Sequence, residues 1–381
     1  MPRVNEPTIL LSAGEPSGDL HGAAVAHALR SRWPDARLFG LGGPQMAAAG
    51  VELLADFHQL AVMGFAEVVS RLPFFRRLLR RLEAEMASRG TALVLPIDYP
   101  GFNMRLARSA RAQRRPVLYY IAPQVWAWHR SRIRQLARLA NRLAVILPFE
   151  EQLFREAGAA VTFVGHPLLD AAPVAEGVES FRARLGLTGG PVLALFPGSR
   201  PQEVAMHLAL FTETALRLHS ARPHIQPVIA RSRAVPARMY HDAPFPETTE
   251  TRALLANAQA ALVKSGTTTL EAALAGTPMV VAYRTSALTF ALARRLVRVE
   301  HIGLVNLVAG RRLAPEFVQH EATPGALVQA LSPLMSDASS ARQAMVAGLS
   351  GVRAALQAPG EGGTTAERVA VLAAELLEGG S

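Results

Sequence analysis

The chain contains no cysteine, which excludes disulfide bonds and metal sites built from thiolates and is compatible with a reducing cytoplasm. It also lacks a G-x-G-x-x-G fingerprint and a G-x-x-x-x-G-K-[ST] loop, so dinucleotide oxidoreductases and P-loop NTPases are disfavoured. No uninterrupted apolar run approaches the ~20 residues that a membrane span requires. The apolar stretch 8–13 is too short for a signal sequence. Any contact with a membrane is therefore expected to be peripheral.

Lysine is nearly absent as well, since Lys264 is the single lysine among 40 lysine and arginine residues. The formal net charge is nevertheless +10, and the sequence pI is about 11.0. An excess of arginine indicates anionic partners such as phosphates, acidic lipid surfaces or nucleic acid. A genome with GC-rich codons would explain the preference for arginine over lysine, but it would not explain the net positive charge.

The 381 residues are 50% hydrophobic and 18% charged, which predicts a well-packed protein with more than one core. Short apolar strands alternate with amphipathic helical stretches, a pattern typical of an α/β protein with parallel sheets covered on both faces. We expect two doubly wound, Rossmann-like domains with a ligand cleft between them. The expected ranges are 1–168, 169–345 and a C-terminal helical tail, 346–381, that could pack back on the first domain.

The segment Ser265–Pro278 follows the apolar run 260–263 and predicts a buried strand, a glycine turn and a helix with a hydroxyl-rich first turn. Free N–H groups and the positive end of the helix dipole make such a helix start suitable for a phosphate or diphosphate. Glu271 lies one turn further, where a ribose could donate to its carboxylate. Simple capping by threonine is the alternative. The predicted nucleotide-site residues here are Ser265, Gly266, Thr267, Thr268 and Glu271.

A second strand–turn–helix pattern ends in Pro197–Arg200. The Arg200 guanidinium beside a glycine turn can neutralise a diphosphate with two hydrogen bonds, whereas a solvated surface arginine is the alternative. Asn306 lies in an otherwise apolar stretch. It is either a buried polar group that serves the backbone or a substrate contact, and the sequence does not rank the two.

The first strand-to-helix turn combines glycines with two carboxylates at the edge of the expected cleft. Glycines let a ligand approach the backbone closely, and the carboxylates lie where substrate hydroxyls could arrive. Alternatively, Asp19 only favours the helix dipole and Gly18 only allows close packing of the helix on the sheet. The predicted substrate-binding residues of this turn are Gly14, Glu15, Ser17, Gly18 and Asp19.

Asp98 ends the apolar strand 92–97 and precedes the turn Tyr99–Asn103. A carboxylate at the carboxyl end of a strand, with apolar walls beside it, is well suited to act as a general base. Capping of the helix near Phe102 is the alternative. We favour the catalytic role because the Pro-Gly turn separates Asp98 from that helix.

Residues 74–82 predict a helix with apolar side chains on one arc and four arginines on the opposite arc. Packing on the core is the usual role of an amphipathic helix. A wholly cationic polar face favours an interfacial helix on an anionic bilayer instead, where each arginine contributes roughly 1 kcal/mol. The predicted membrane-facing residues are Phe65, Leu72, Phe74, Phe75, Arg76, Arg77, Leu78, Leu79, Arg80, Arg81 and Leu82.

Tryptophans and arginines also occur together in residues 122–138, where they could stack on nucleic-acid bases. No RNP, zinc-finger or KH signature accompanies them, and a helical core segment with an arginine-rich outer face is a simpler interpretation. We therefore expect no nucleic-acid partner.

Together these segments resemble the lipid-A-disaccharide synthase family, bacterial glycosyltransferases of the two-domain GT-B architecture. The resemblance runs in order through nearly the whole chain. Its matching stretches are Gly14–Asp19, Leu60–Gly64, Ile97–Asn103, Pro123–Trp128, Leu147–Glu150, Phe163–Pro167, Pro197–Arg200, Ser265–Glu271 and Asn306–Leu307.

The resemblance implies transfer of 2,3-diacylglucosamine from its UDP derivative to 2,3-diacylglucosamine 1-phosphate, giving a β-1,6-linked disaccharide with inversion. It implies that Asp98 is the catalytic base, that Arg200, Glu271 and Asn306 belong to the UDP site, and that residues 62–82 face acyl chains and the membrane. The expected partners are these two acylated sugars and the anionic, cytoplasmic surface of the inner membrane. No metal or other cofactor is expected, because arginine and fixed dipoles would stabilise the departing UDP.

Two rival functions remain open at this point. Another GT-B enzyme, such as a UDP-N-acetylglucosamine transferase or a UDP-sugar 2-epimerase, would share the second-domain site but not the Gly14–Asp19 loop or the Asp98 segment. A basic nucleic-acid-binding protein without catalysis would show salt-sensitive RNA binding and no affinity for UDP.

Overall fold

A computed structural model of the chain describes residues 6–57, 72–124, 130–287, 290, 300–360 and 362–379. The chain divides into an N-terminal unit, residues 1–170 with 357–381, and a C-terminal unit, residues 171–356. Each unit contains its own parallel sheet, as the alternating pattern of the sequence predicts.

The described part of the N-terminal unit contains a sheet of seven strands in the order β3-β2-β1-β4-β5-β6-β7. Parallel strands covered on both faces are buried on both faces, which explains the continuous apolar runs of β1 and β4. The strands are β1 (Thr8–Ala13), β2 (Arg37–Gly42), β3 (Glu52–Asp56), β4 (Leu93–Ile97), β5 (Leu118–Tyr120), β6 (Arg142–Val145) and β7 (Val161–Phe163). In register, Ile9 lies between Leu38 and Leu93.

Helices cover both faces of this sheet. They are α1 (Pro16–Arg32), α2 (Pro44–Ala48), α3 (Leu72–Ser88), α4 (Pro100–Ala112), α5 (Arg130–Leu139) and α6 (Pro148–Glu156), joined at the end of the chain by α14 (Thr365–Glu378). One core cluster lies between β1, α1 and α14 and includes Leu29 and Val369. On the opposite face, another cluster includes Leu82 and Leu106. The first turns of α1 and α4 therefore begin directly at carboxyl ends of central strands.

The described C-terminal unit contains a six-stranded sheet in the order β10-β9-β8-β11-β12-β13. Its strands are β8 (Val192–Phe196), β9 (Gln226–Ala230), β10 (Glu247–Thr248), β11 (Ala258–Lys264), β12 (Met279–Tyr283) and β13 (Glu316–Val318). Its helices are α7 (Val178–Arg184), α8 (Pro201–Ala221), α9 (Thr251–Asn257), α10 (Thr268–Ala275), α11 (Leu304–Ala309), α12 (Pro324–Leu331) and α13 (Ser340–Ala355). Both sheets are parallel and covered by helices, as the predicted fold class requires.

The last two helices belong to different units. Helix α13 runs through residue 345 without a break and packs on α10 and α11 of the C-terminal unit. Helix α14 packs on α1 of the N-terminal unit, where the Asp170 carboxylate accepts a 2.8 Å hydrogen bond from the Thr365 N–H. The chain therefore returns to the N-terminal unit between Leu356 and Gln357.

Helix α3 packs its apolar side on the core, the alternative that the sequence analysis ranked below membrane contact. Leu78 and Leu82 are buried with Met86, and Phe74, Phe75 and Leu79 are half-buried against the same core cluster. Burial in the core removes Leu78 and Leu82 from the predicted membrane face, whereas membrane contact of the half-buried Phe74, Phe75 and Leu79 stays a prediction. Leu72 is half-buried, and Phe65 lies outside the described residues.

The arginines of α3 lie on its outer side, as the helical periodicity predicts. Arg76, Arg77 and Arg80 are exposed, and Arg81 donates a 2.8 Å hydrogen bond to the Leu54 carbonyl at the edge of the sheet. The polar face is therefore a cationic surface over a packed helix. Among the described helices, none combines the length and the apolar character needed to cross a membrane.

Candidate functional site

A cavity of about 480 Å³ lies at the carboxyl ends of β8, β9 and β11 in the C-terminal unit. Ligands of open α/β sheets bind outside these strand ends, because the loops there are free to shape a site. All the predicted nucleotide-site residues except Asn306 line the cavity. They are Arg200, Ser265, Gly266, Thr267, Thr268 and Glu271, and they are joined by residues 198–199 and 230–233.

The turn between β11 and α10 has the geometry of an anion-binding helix start. Gly266 has a φ of +152°, which a side chain would strain, and Thr267 is the residue that precedes the helix. The Ser265 hydroxyl donates to the Ile302 carbonyl at 2.7 Å, and the Thr269 hydroxyl donates to the Gly266 carbonyl at 2.8 Å. The N–H groups of Thr269, Leu270 and Glu271 donate to carbonyls within this turn, so the backbone that faces the cavity at the helix start is that of Gly266, Thr267 and Thr268.

Glu271 lies at the end of this first turn with its carboxyl group half-buried. Burial raises the pKa of Glu271, while a hydrogen bond from the Thr268 side chain and the charge of Arg252 act in the opposite direction. A half-buried carboxylate that lines the cavity can accept hydrogen bonds from the hydroxyls of a sugar.

Lys264 and Glu203 form an ion pair in the cavity wall that the sequence analysis did not find. The Lys264 ammonium donates to Glu203 Oε1 at 2.8 Å, and the two side chains are 18% and 19% exposed. Glu203 Oε2 accepts a 3.0 Å hydrogen bond from the Ser199 N–H, so the pair is tied to the loop that carries Arg200. Burial acts to raise the pKa of Glu203, but the bonds from Lys264 and Ser199 outweigh it and lower this pKa.

Asn306 has the first of the two roles that the sequence left open. It is fully buried, and its Nδ2 donates to the Ala314 carbonyl and to Glu316 Oε1, both at 2.8 Å. Its Oδ1 accepts from the N–H groups of Leu313 and Ala314. Because these atoms are engaged in backbone and side-chain bonds inside the unit, Asn306 does not line the cavity and is removed from the substrate contacts.

Asp98 in the N-terminal unit lies on a strained turn at the carboxyl end of β4. Asp98 and Tyr99 have φ values of +45° and +47°, a left-handed conformation that costs about 1–3 kcal/mol for each residue. Such strain persists only where surrounding contacts enforce it, and it is concentrated at functional sites. The conformation directs the chain from β4 into α4 within two residues.

Asn103 enforces this turn from the first part of α4. Its Nδ2 donates to the carbonyls of Ser12, Ile97 and Asp98 at 2.9–3.0 Å, and its Oδ1 accepts a 2.6 Å hydrogen bond from the Ser12 hydroxyl. The Tyr119 hydroxyl donates to the Asp98 carbonyl at 2.7 Å. Ser12, Asn103 and Tyr119 are fully buried. The backbone of Asp98 is therefore fixed from two sides.

The Asp98 carboxyl group has the electrostatic character of a general base. Its pKa is raised from 3.8 to about 6, mainly by burial and also by the charge of Glu15, although a hydrogen bond from the Tyr99 N–H acts in the opposite direction. A base with a pKa near neutrality is deprotonated at pH 7 and yet holds a proton well enough to remove it from a hydroxyl. The predicted base therefore lies in surroundings that suit its role.

Two of the predicted substrate-binding residues in the turn from β1 to α1 are exposed beside Asp98. Glu15 and Ser17 are exposed, and the charge of Glu15 reaches Asp98. Gly14 serves the packing of the turn, since a Cβ there would lie 2.2 Å from the ring of Tyr99. Gly18 packs against Ala13, which is the structural alternative given by the sequence.

Asp19 caps a neighbouring helix, which removes it from the predicted substrate contacts. Its side chain is 2% exposed. Oδ1 accepts from the N–H groups of Gly43 and Met46 at 2.8 and 3.0 Å, and Oδ2 accepts from Gln45 at 3.0 Å. Both carboxylate oxygens therefore hold the start of α2. No local pattern predicts this contact, because its partners lie 24–27 residues away along the chain.

Solved structures show which class of fold these two units form. The glycotransferase of kitacinnamycin matches with a TM-score of 0.65 at 20% identity, over 99% of this chain and 100% of that one. The calicheamicin glycosyltransferase CalG4 matches with a TM-score of 0.62 at 18% identity, over 98% of both chains. A UDP-N-acetylglucosamine 2-epimerase from Listeria monocytogenes reaches a TM-score of 0.65 at 11% identity, over 98% of this chain and 97% of that one. The chain therefore has the GT-B fold, in which transferases and epimerases are both found.

Sequence relatives identify the family within this class. The family model for lipid-A-disaccharide synthetase matches residues 9–358. The lipid-A-disaccharide synthase of Syntrophus aciditrophicus is 41% identical over 384 residues, covering 98% of this chain and 99% of its own. The lipid-A-disaccharide synthase of Myxococcus xanthus is 40% identical over 373 residues, covering 96% of this chain and 97% of its own. The chain belongs to the lipid-A-disaccharide synthase family and is a glycosyltransferase, as the resemblance predicted.

Proposed function

We propose that this enzyme condenses UDP-2,3-diacylglucosamine with 2,3-diacylglucosamine 1-phosphate to form the β-1,6-linked lipid A disaccharide 1-phosphate and UDP. Family membership supports the two substrates. The observation that carries the chemistry is Asp98, whose strained turn and raised pKa suit the deprotonation of a sugar hydroxyl. The epimerase alternative rests on likeness of fold alone.

The donor binds to the C-terminal unit. The diphosphate of UDP contacts the helix start at residues 266–268 and the Arg200 guanidinium, which line the same cavity. Glu271 accepts hydrogen bonds from the ribose hydroxyls. As the bond between the anomeric carbon and the diphosphate breaks, its electron pair passes to UDP, and these donors stabilise the developing negative charge.

The acceptor binds to the N-terminal unit, with its 6-hydroxyl at Asp98. The deprotonated carboxylate accepts the hydroxyl proton while the oxygen attacks the anomeric carbon from the side opposite UDP. One carbon–oxygen bond forms as the other breaks, so the configuration inverts, and the proton remains on Asp98 until solvent removes it. Ser17 and Glu15 are exposed beside this turn and contact the acceptor sugar.

The cationic face of α3 places the N-terminal unit on an anionic membrane. Arg76, Arg77 and Arg80 are exposed on a helix that is itself anchored in the core. Each arginine near such a surface contributes roughly 1 kcal/mol, which suits reversible, peripheral attachment. The enzyme would thereby meet acylated substrates on the cytoplasmic side of the inner membrane.

A UDP-release assay with both lipid precursors in mixed micelles tests this function. The unmodified enzyme should release UDP when both sugars are present, and Asp98→Asn should bind UDP yet lose most turnover. Asp35→Asn, an exposed aspartate between α1 and β2, is the matched control and should keep normal activity. Epimerisation of UDP-N-acetylglucosamine without an acceptor would favour the epimerase, and salt-sensitive RNA binding without UDP affinity would favour nucleic-acid binding.

A further inference from the structure

The single lysine of the chain lies in the cavity wall of the C-terminal unit. Of the 40 lysine and arginine residues of the chain, all but one are arginine. The exception is residue 264, at the carboxyl end of β11, which is lysine. Lys264 lines the cavity and is 18% exposed, so part of its side chain is accessible to a ligand. A lone lysine at a half-buried position inside an arginine-rich chain indicates that the site requires an ammonium group.

The ammonium group lies between the two loops of the proposed diphosphate site. It donates to Glu203 at 2.8 Å, and Glu203 in turn accepts from the Ser199 N–H in the loop that carries Arg200. On its other side, Nζ lies 3.6 Å from the point where a Cβ on Gly266 would stand. Lys264 is therefore adjacent to both backbone segments that we assign to the diphosphate.

The neighbouring histidine is neutral, so the positive charges that act on Glu203 are those of Lys264 and Arg200. His207 Nε2 accepts a 2.8 Å hydrogen bond from the Arg284 N–H, and its Nδ1 therefore carries the proton that is donated to the Glu203 carbonyl. Burial lowers the pKa of His207, and the charge of Lys264 lowers it further. With both ring nitrogens engaged and the ring 1% exposed, His207 supports the cavity wall and does not reach a ligand.

We propose that Lys264 is a phosphate-binding residue of the donor site, whose ammonium group donates to a diphosphate oxygen while Glu203 holds it in place. An ammonium has three N–H groups, and in the described part of the chain Glu203 accepts from one of them. The compact ammonium fits below the Gly266 turn, where a planar guanidinium is larger and fixed in direction. This inference rests on the proposed function, because it assumes that a UDP-linked donor occupies the cavity.

Binding of UDP, UMP and uridine to the unmodified enzyme, Lys264→Met and Lys264→Gln tests the inference by calorimetry and competition. We expect both variants to bind UDP about 10- to 100-fold more weakly, as for loss of a charge-assisted hydrogen bond, and to bind uridine normally. Equal weakening for uridine would show a merely structural role and overturn the inference. Arg217→Met removes an exposed cation of α8 that is also paired with a glutamate, and it should leave UDP binding unchanged.

A second measurement uses the unmodified chain, so it does not depend on variants that fold. Lysine labelled with ¹³C at Cε gives one side-chain signal in the NMR spectrum, because the chain has one lysine. Saturating UDP should shift this signal, and uridine should not. If calorimetry shows bound UDP but the lysine signal does not move, the inference about Lys264 is overturned and the proposed function is not affected. Absence of UDP binding by the unmodified enzyme would overturn both the inference and the proposed function.

Discussion

Replacing Asp98 by asparagine should stabilise the N-terminal unit and inactivate the enzyme at the same time. The folded protein raises the pKa of this carboxyl from 3.8 to about 6, so it binds the proton more tightly than the unfolded chain does. A shift of roughly two pKa units corresponds to about 3 kcal/mol. At neutral pH the ionised carboxylate therefore opposes folding by up to about that amount, while its removal eliminates the base.

The size of this effect on stability depends on pH. The folded state is favoured by protonation of Asp98, so this contribution is fully present below pH ~4 and is lost as the pH rises through about 6. Asp98→Asn should consequently raise the unfolding temperature at pH 8 and change it little at pH 4. Thermal unfolding of both proteins at the two pH values measures the difference. Equal unfolding temperatures at pH 8, or a destabilised variant, would refute the argument that burial raises this pKa.

The turnover rate and its pH dependence should also report on the Asp98 carboxyl group. General-base catalysis contributes about 10²- to 10⁴-fold, so we expect Asp98→Asn to lose at least 100-fold in kcat. In the unmodified enzyme kcat should fall about tenfold per pH unit below pH 6. Glu15→Gln should move this acid limb to lower pH, because the charge of Glu15 raises the pKa of Asp98. An acid limb that stays near pH 6 in Asp98→Asn would assign it to another group.

Three further changes test other parts of the molecule. Tyr119→Phe removes one hydrogen bond to the strained turn and should lower kcat about 3- to 10-fold with UDP affinity unchanged, as steady-state kinetics and calorimetry would show. Asn306→Ala removes four buried hydrogen bonds, to the N–H groups of Leu313 and Ala314, the Ala314 carbonyl and the Glu316 carboxylate. Urea unfolding should therefore show a loss of about 2–4 kcal/mol, and a loss below about 1 kcal/mol would contradict the buried network. Arg76, Arg77 and Arg80 changed together to glutamate should abolish sedimentation with anionic vesicles while the unfolding temperature stays the same, and unchanged sedimentation would exclude this surface.

Local patterns in the sequence were sufficient for the features that depend on neighbouring residues. The run of apolar residues before Ser265 and the hydroxyl groups after it predict a strand, a turn and a helix, because period and capping are properties of a few consecutive residues. The same logic predicts Asp98 at a strand end. These segments also carry the resemblance to the family, which the comparisons confirm.

Several other features depend on residues that are distant in sequence. Asp19 caps a helix that begins 25 residues later, and Lys264 pairs with Glu203 across 61 positions. An amphipathic period gives α3 an apolar side, but whether that side meets a membrane or a core depends on which elements fold against it. The sequence by itself determined the fold class, the family and the order of the binding segments. Tertiary structure alone decided which polar groups face a cavity and which hold the backbone, because burial and hydrogen-bond partners arise only when distant segments pack together.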